Sequence, residues 1–237
     1  MGWYVPKAYK VEDLDQQLQV IKDFPLGVLL TSSTSYLSNE TDLGISHLPF
    51  VIKKKPLYDD EGQLIEEKLY LLTHIAKGND QINHLEKLDK VKIIFKSTNS
   101  YVSASWYLQK KIDHKVVSTW DYSAVHIDGK PKLIKDHDGL LEILKDVTTF
   151  NEDKRSTSDN NKWKVEDAPS NYIDSMMKGI VGLEVEITNI ESCFKFQQGK
   201  PAKEVLNIIK NYNEEISNDQ SNYMVSLTQK VNSSRLT

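Results

Sequence analysis

Trp120-Asp121-Tyr122-Ser123-Ala124-Val125-His126-Ile127-Asp128-Gly129-Lys130-Pro131-Lys132-Leu133-Ile134-Lys135 is the run on which the fold class turns. Val125 and Ile127 alternate with polar neighbours before Asp128-Gly129, and Leu133 follows it. Alternation marks a half-buried strand, and Asp-Gly is a dipeptide favoured by a type I′ turn. The run therefore predicts a β-hairpin over 120–135. Val181, Leu183, Val185 and Ile187 alternate strictly and give a second well-patterned strand.

Working outward, Leu26–Ser32, Ile45–Ile52 and Lys68–Ala76 read as strands, and Val91–Lys96 and Tyr101–Ala104 as two more. Helical spacing appears in Val11, Leu14, Leu18 and Ile21, ending before Pro25, and in Leu140, Leu141, Leu144 and Val147. Further helices are expected at Asn79–Leu88, after Pro169, and over Ala202–Ile216. Short strands that follow one another with short turns predict an antiparallel sheet closed as a barrel, mainly β with flanking helices. One domain is expected over 1–217, with loop insertions at 53–67, a projecting hairpin or loop, and at 151–162. Residues 218–237 are polar and read as a flexible tail.

Composition narrows the function classes. The 237-residue chain carries a formal net charge of −4, and all but two of its 30 basic residues are lysine; Arg155 and Arg235 are the exceptions. Arginine is the usual reader of guanine edges and the usual fork for phosphate. Direct DNA binding is therefore not favoured, and a phosphate in the core would be held by lysine, hydroxyls or backbone N–H groups. Cys193 is a single thiol in a strand-like run, read as a buried structural residue in a reducing compartment. The six histidines show no HxH or HxxxH pairing, so no metal site is assigned. Met1–Lys10 has no apolar run of a secretory signal, and no stretch is long and apolar enough for a membrane helix; the cytoplasm or nucleus is the expected location. The chain has no GxGxxG, P-loop, GxSxG or HExxH motif.

Three clusters could carry chemistry. Thr73-His74-Ile75-Ala76-Lys77-Gly78-Asn79 ends a strand where a short helix begins, a pattern that suits an anion. Ser103–Tyr107, His114-Lys115 and Ser118–Tyr122 interleave aromatic rings with hydroxyls and lysines, as a flat heteroaromatic ligand requires. Gly179–Val185 and Phe194–Pro201 offer two glycines in a strand and a set of donors. Each also has a plain structural reading: a solvated strand end, a packed core or dimer interface, and a solvated edge.

Together these runs resemble the PaiB-type FMN-binding split-barrel family. The resemblance is carried by Trp3-Tyr4-Val5-Pro6, Phe24–Leu29, Ser46-His47-Leu48-Pro49, His74–Asn79, Ser103–Tyr107, Val117–Tyr122, Lys178–Gly182 and Lys195–Gln198, in order over residues 1–210. Asp80, Ala104 and Ser118 stand where the family often has proline, and lysine replaces its arginine near Gln198.

The resemblance implies a homodimeric split β-barrel with FMN at the subunit interface. His74, Lys77 and Asn79 would approach the phosphate or ribityl chain. Ser105, Trp106, Thr119 and Trp120 would line the flavin ring, and Gln198 would reach in from the partner. It also implies a flavin-dependent oxidoreductase or flavin-state sensor, with His114 and Tyr107 as candidate proton donors. A transcriptional regulator without flavin chemistry, and a haem- or pyridoxal-phosphate-handling barrel, stay open.

Overall fold

The computed structural model describes residues 3–34, 41–156, 161–216 and 218–236. Seven strands form one antiparallel sheet: β1 Leu26–Thr34, β2 Thr41–Pro49, β3 Val51–Tyr58, β4 Leu64–Ala76, β5 Val91–Val102, β6 Thr119–Ile134 and β7 Ile180–Lys195. Their order is β2-β1-β5-β6-β7-β4-β3. The helices are α1 Leu14–Asp23, α2 Gln81–Leu85, α3 His137–Glu152, α4 Ser170–Met177, α5 Ala202–Glu215, α6 Asn218–Val231 and α7 Ser233–Leu236. No described helix is long and apolar enough to cross a membrane. The chain divides into two compact units. Unit 1 is Met1–Val20, Lys96–Val125 and Glu191–Thr237; unit 2 is Ile21–Phe95 and His126–Ile190.

In unit 2, β1 alternates cleanly. Gly27, Leu29 and Thr31 are buried, while Leu26, Val28 and Leu30 turn to the other face. Val28 pairs with His47 and Leu30 with Ile45, so exposed Leu43, Ile45 and His47 of β2 share that outer face. Gly27 is required by close approach, because a Cβ there would lie 2.7 Å from the Phe95 ring. That ring meets Phe50 edge to face at 5.7 Å. Helix α3 lays Ile143 and Val147 onto Val51 and Leu72, with Tyr70, Ile134 and Phe150 around them. Asp136 caps the helix by accepting the Gly139 N–H at 2.8 Å.

Several expectations are corrected. The 120–135 hairpin does not exist: β6 runs straight through Asp128-Gly129 as a sixteen-residue strand. Gly129 is absent from the positive-φ residues, so no turn forms there. It is small because β7 passes close by: a Cβ would sit 2.5 Å from Val185 Cγ1 and 2.6 Å from the Glu186 carbonyl oxygen. The Asp128 carboxylate takes Lys92 at 2.7 Å and Lys90 at 3.2 Å, and its carbonyl accepts from Thr188 Oγ1 at 3.0 Å. Burial opposes its ionisation, but the two lysines and Asn189 outweigh that and hold it below the usual carboxylate range.

Likewise, the two strands expected at 91–96 and 101–104 are one strand, β5. Of the hairpin or loop expected at 53–67, the hairpin forms, with full strands on both sides, Val51 to Leu72 in register down to Leu57 and Glu66. Its ladder is framed by pairs such as Lys53–Asp146 at 2.8 Å and Lys68–Glu186 at 2.8 Å, and by Lys55 on Glu184. In the 151–162 insertion, residues 157–160 lie outside the described residues, and 151–152 belong to α3.

In unit 1, the polar C-terminus is not a loose tail. It forms α6 and α7, and α6 buries Ser221, Met224 and Thr228 on one stripe. Asn232 beyond α6 is 1% exposed and donates to the Phe196 carbonyl at 2.8 Å. Helix α5 buries Val205, Ile208, Ile209 and Tyr212. Buried Glu204 on α5 accepts the N–H groups of Leu108 and Gln109 at 2.7 and 2.8 Å, fixing the 3-10 turn Leu108–Lys111. Cys193 is buried, with its Sγ 3.7 Å from the Tyr122 hydroxyl, and burial pushes its thiol pKa up. A buried protonated thiol is inert.

Candidate functional site

The candidate residues fall in both units, and each set has its own geometry. In unit 2, His74 sits on β4 opposite Gly182 of β7. Its Nδ1 is buried with no hydrogen-bond partner. Desolvation lowers its pKa, which favours the neutral ring. Lys77 is exposed just past the strand end, and its N–H donates to the Gly179 carbonyl at 2.9 Å. Asn79 is a local clasp: Nδ2 donates to Ser46 Oγ at 2.9 Å and Oδ1 accepts the Gln81 N–H at 2.9 Å. The first free amide of α2 is thus taken by Asn79.

In unit 1, the Trp120 ring is 48% exposed yet tethered, because its Nε1 donates to Asn99 Oδ1 at 2.7 Å. Tyr101 lies beside it, with centroids 6.1 Å apart and planes tilted by 59°. Next along β6, the Thr119 hydroxyl accepts from Lys195 Nζ at 2.5 Å. This places an aromatic plate, a hydroxyl and an ammonium on one end of β6 and β7. The hydroxyls of Ser103 and Ser105 are 2.7 Å apart and exposed. Trp106 is different: it is buried edge to face on Tyr212 at 5.7 Å, and its indole N–H donates to Glu215 at 2.9 Å. Gln198 folds back on its own strand end, accepting the Phe196 N–H at 2.7 Å and donating to the Phe194 carbonyl at 2.5 Å.

Sequence reasoning missed a buried network beneath Trp120. Asp121 is fully buried and accepts from Gln197 Nε2 at both carboxylate oxygens and from the Tyr212 hydroxyl at 2.7 Å. The Tyr107 hydroxyl donates to Gln197 Oε1 at 2.8 Å. Desolvation pushes Asp121 up to about 6, against the lowering effect of its two donors. Tyr107 is pushed up to about 12, first by desolvation and then by Asp121. Tyr107 therefore holds its proton throughout the physiological range. His114 stands at φ 60° in an exposed loop. An aspartate between Trp120 and Tyr122 was the available signal, but its partners lie 76 and 91 residues away.

The family model described as "Putative FMN-binding domain" matches residues 3–189. The chain belongs to this FMN-binding family. The resemblance to PaiB-type proteins is shown by the same match and by protease synthase and sporulation protein PAI 2 of Bacillus subtilis. That protein is 25% identical over 221 residues, which span 92% of this chain and 91% of its own. Uncharacterized protein YKL070W of Saccharomyces cerevisiae is 35% identical over 176 residues, 69% of this chain and 98% of that one. Among solved structures, the FAD and heme binding protein from Mycobacterium smegmatis aligns with a TM-score of 0.50 at 11% identity, covering 84% of this chain and 78% of that one. At that identity the likeness speaks to the fold alone. The chain is an FMN-binding split-barrel protein.

The side chains fit that cofactor. A flavin mononucleotide offers a flat apolar tricycle with polar edges and a phosphate dianion. The tethered Trp120 indole suits the ring, and the Thr119–Lys195 pair suits an anion or a polar edge. The unpaired, buried Nδ1 of His74 has a hydrogen bond still to make.

Proposed function

We propose that this protein is a homodimeric, cytoplasmic flavoprotein that senses or uses the redox state of FMN. Bound flavin supplies the electron chemistry, and the protein supplies binding, orientation and exclusion of water. The single observation that carries this reading is Trp120, a half-exposed indole whose N–H is pinned by Asn99. A free surface indole would gain nothing from a fixed plane; a flat ligand would.

In this reading, Trp120, Thr119 and Ser105 meet the ring, with Trp106 behind them. His74, Lys77 and Asn79 serve the ribityl phosphate, and Gln198 acts from the partner subunit. The dimer is supported by the outer face of β1 and β2, where Leu26, Leu43 and Ile45 are all more than half exposed. Contiguous apolar surface of this kind marks an interaction site. The name of PAI 2 ties that protein to protease synthesis and sporulation. That link favours a sensor acting through flavin state or a partner protein. The near absence of arginine favours neither direct DNA contact nor base readout.

Absorbance and native mass of the protein as purified test this directly. A yellow dimer with one FMN per subunit is expected, with Trp120→Leu losing about tenfold or more in FMN affinity. A colourless protein that neither quenches added FMN nor dimerises would overturn the reading.

A further inference from the structure

We infer that helix α6 is part of the cofactor-holding apparatus, with Gln220 as a positioning residue for the Trp120 indole. The inference rests on Trp120 being the flavin wall. It reaches beyond the family match, which ends at residue 189.

Asn99 of β5 is the link. Its side-chain oxygen accepts from Trp120 Nε1 at 2.7 Å, and its backbone oxygen accepts from Gln220 Nε2 at 2.5 Å. One residue therefore holds the indole with its side chain while α6 holds its backbone. Asn99 is flanked by Ser100, buried, and Tyr101, whose ring lies against Trp120. Moving the Asn99 backbone would move both members of the aromatic pair.

Just past the other end of α6, Asn232 grips the Phe194–Pro201 segment of the third cluster. Asn232 donates to the Phe196 carbonyl at 2.8 Å and to the Thr228 carbonyl at 2.8 Å. Phe196 directly precedes Gln197, held at φ 64°, and Gln198. Between these two ties, the buried stripe of Ser221, Met224 and Thr228 fixes the helix by burial. The Ser221 hydroxyl adds a bond to Asn213 Oδ1 at 2.9 Å. The helix is thus anchored independently of Gln220, and that side chain is left to set the Asn99 backbone.

A helix that merely covered the core would make Gln220 a matter of stability alone. The two roles separate in FMN titration of wild type, Gln220→Ala, Gln220→Glu, Trp120→Leu and the double variant Gln220→Ala/Trp120→Leu, with melting temperature measured alongside. Exposed Ser226 on α6 provides the control Ser226→Ala. Gln220→Ala is expected to weaken FMN about threefold to tenfold, the worth of one hydrogen bond. It should also shift the visible circular dichroism of the bound flavin, with little change in melting. Gln220→Glu has no N–H for the carbonyl and should behave alike, while Ser226→Ala binds as wild type. In the Trp120→Leu background, Gln220→Ala should add nothing further.

If Gln220→Ala binds FMN as wild type while Trp120→Leu binds it weakly, the role of α6 is overturned and the flavin wall stands. If Trp120→Leu binds FMN as tightly as wild type, the wall falls, and this inference with it.

Discussion

Gln197 Nε2 lies 2.8 Å from each carboxylate oxygen of Asp121, and both side chains are withdrawn from solvent. The contact joins the start of β6 to the residue just past β7. It is bought at a cost: Gln197 stands at φ 64°, in the left-handed region that side-chain-bearing residues avoid. Three neutral donors and one carboxylate, with Tyr107 and Tyr212 at the ends, offset that strain. Only Gln197 and Tyr212 donate to Asp121 itself, and they leave its charge partly compensated, so burial raises its pKa.

That shift has a definite pH signature. Asp121 rises from 3.8 to about 6 on folding, so the folded state binds the proton more tightly. Its contribution to stability is complete below pH 3.8 and is lost as pH rises through about 6. The loss is on the order of 2–3 kcal/mol. Asp121→Asn cannot ionise and should lack this slope. Urea unfolding of both proteins at several pH values through that window measures the difference. Parallel curves would show that Asp121 titrates alike folded and unfolded.

Gly129→Ala should destabilise the protein by about 1–3 kcal/mol, because its methyl group would press on Val185 and on the Glu186 backbone. Gly62, at φ 80° in the β3–β4 turn with open space around it, is the contrasting case. There alanine costs about 1 kcal/mol for backbone conformation alone. Denaturant midpoints of the two variants distinguish overpacking from strain.

His74 contributes in the opposite sense to Asp121. Desolvation lowers its folded pKa below 6.5, so its stability term is present above that value and is lost as pH falls below it. His74→Leu should remove this acid sensitivity and relieve an unpaired buried nitrogen, leaving the apoprotein at neutral pH as stable or more so. FMN affinity should fall in the same variant. Thermal melts at pH 5 and pH 7, with and without FMN, report both effects.

Met224 is fully buried on α6. Met224→Ala should cost about 2–5 kcal/mol, as for other large core side chains. A truly loose tail would register no change. Equilibrium unfolding followed by circular dichroism decides the matter.

Local pattern carried much of the fold. The alternation of Val181, Leu183, Val185 and Ile187 and the spacing of Leu140, Leu144 and Val147 need only neighbours in sequence, and both elements form where the periods place them. Asp128-Gly129 misled because turn propensity is a statement about a strand with nothing beside it. Here Lys92 of β5 and Lys90 just before it come to one flank, and Val185 of β7 to the other. The C-terminal helix was hidden because Ser221, Thr228 and Asn232 are polar and look solvated, yet all three are buried: Thr228 satisfies its hydroxyl on the Met224 carbonyl one turn back, Ser221 on Asn213 and Asn232 on the Phe196 carbonyl.

The aromatic and lysine runs are legible in the sequence as groups that would suit a flat, phosphorylated ligand, because residue chemistry survives without coordinates. Which ring stays open and which is packed away was not. Trp106 and Trp120 are alike in sequence, yet Tyr212 and Glu215 bury the first while Asn99 merely tethers the second. By itself the sequence determined periodicity, charge and the stock of chemical groups, all set by covalent order. Tertiary structure alone decided exposure, pairing and protonation, because each depends on atoms that lie far apart along the chain.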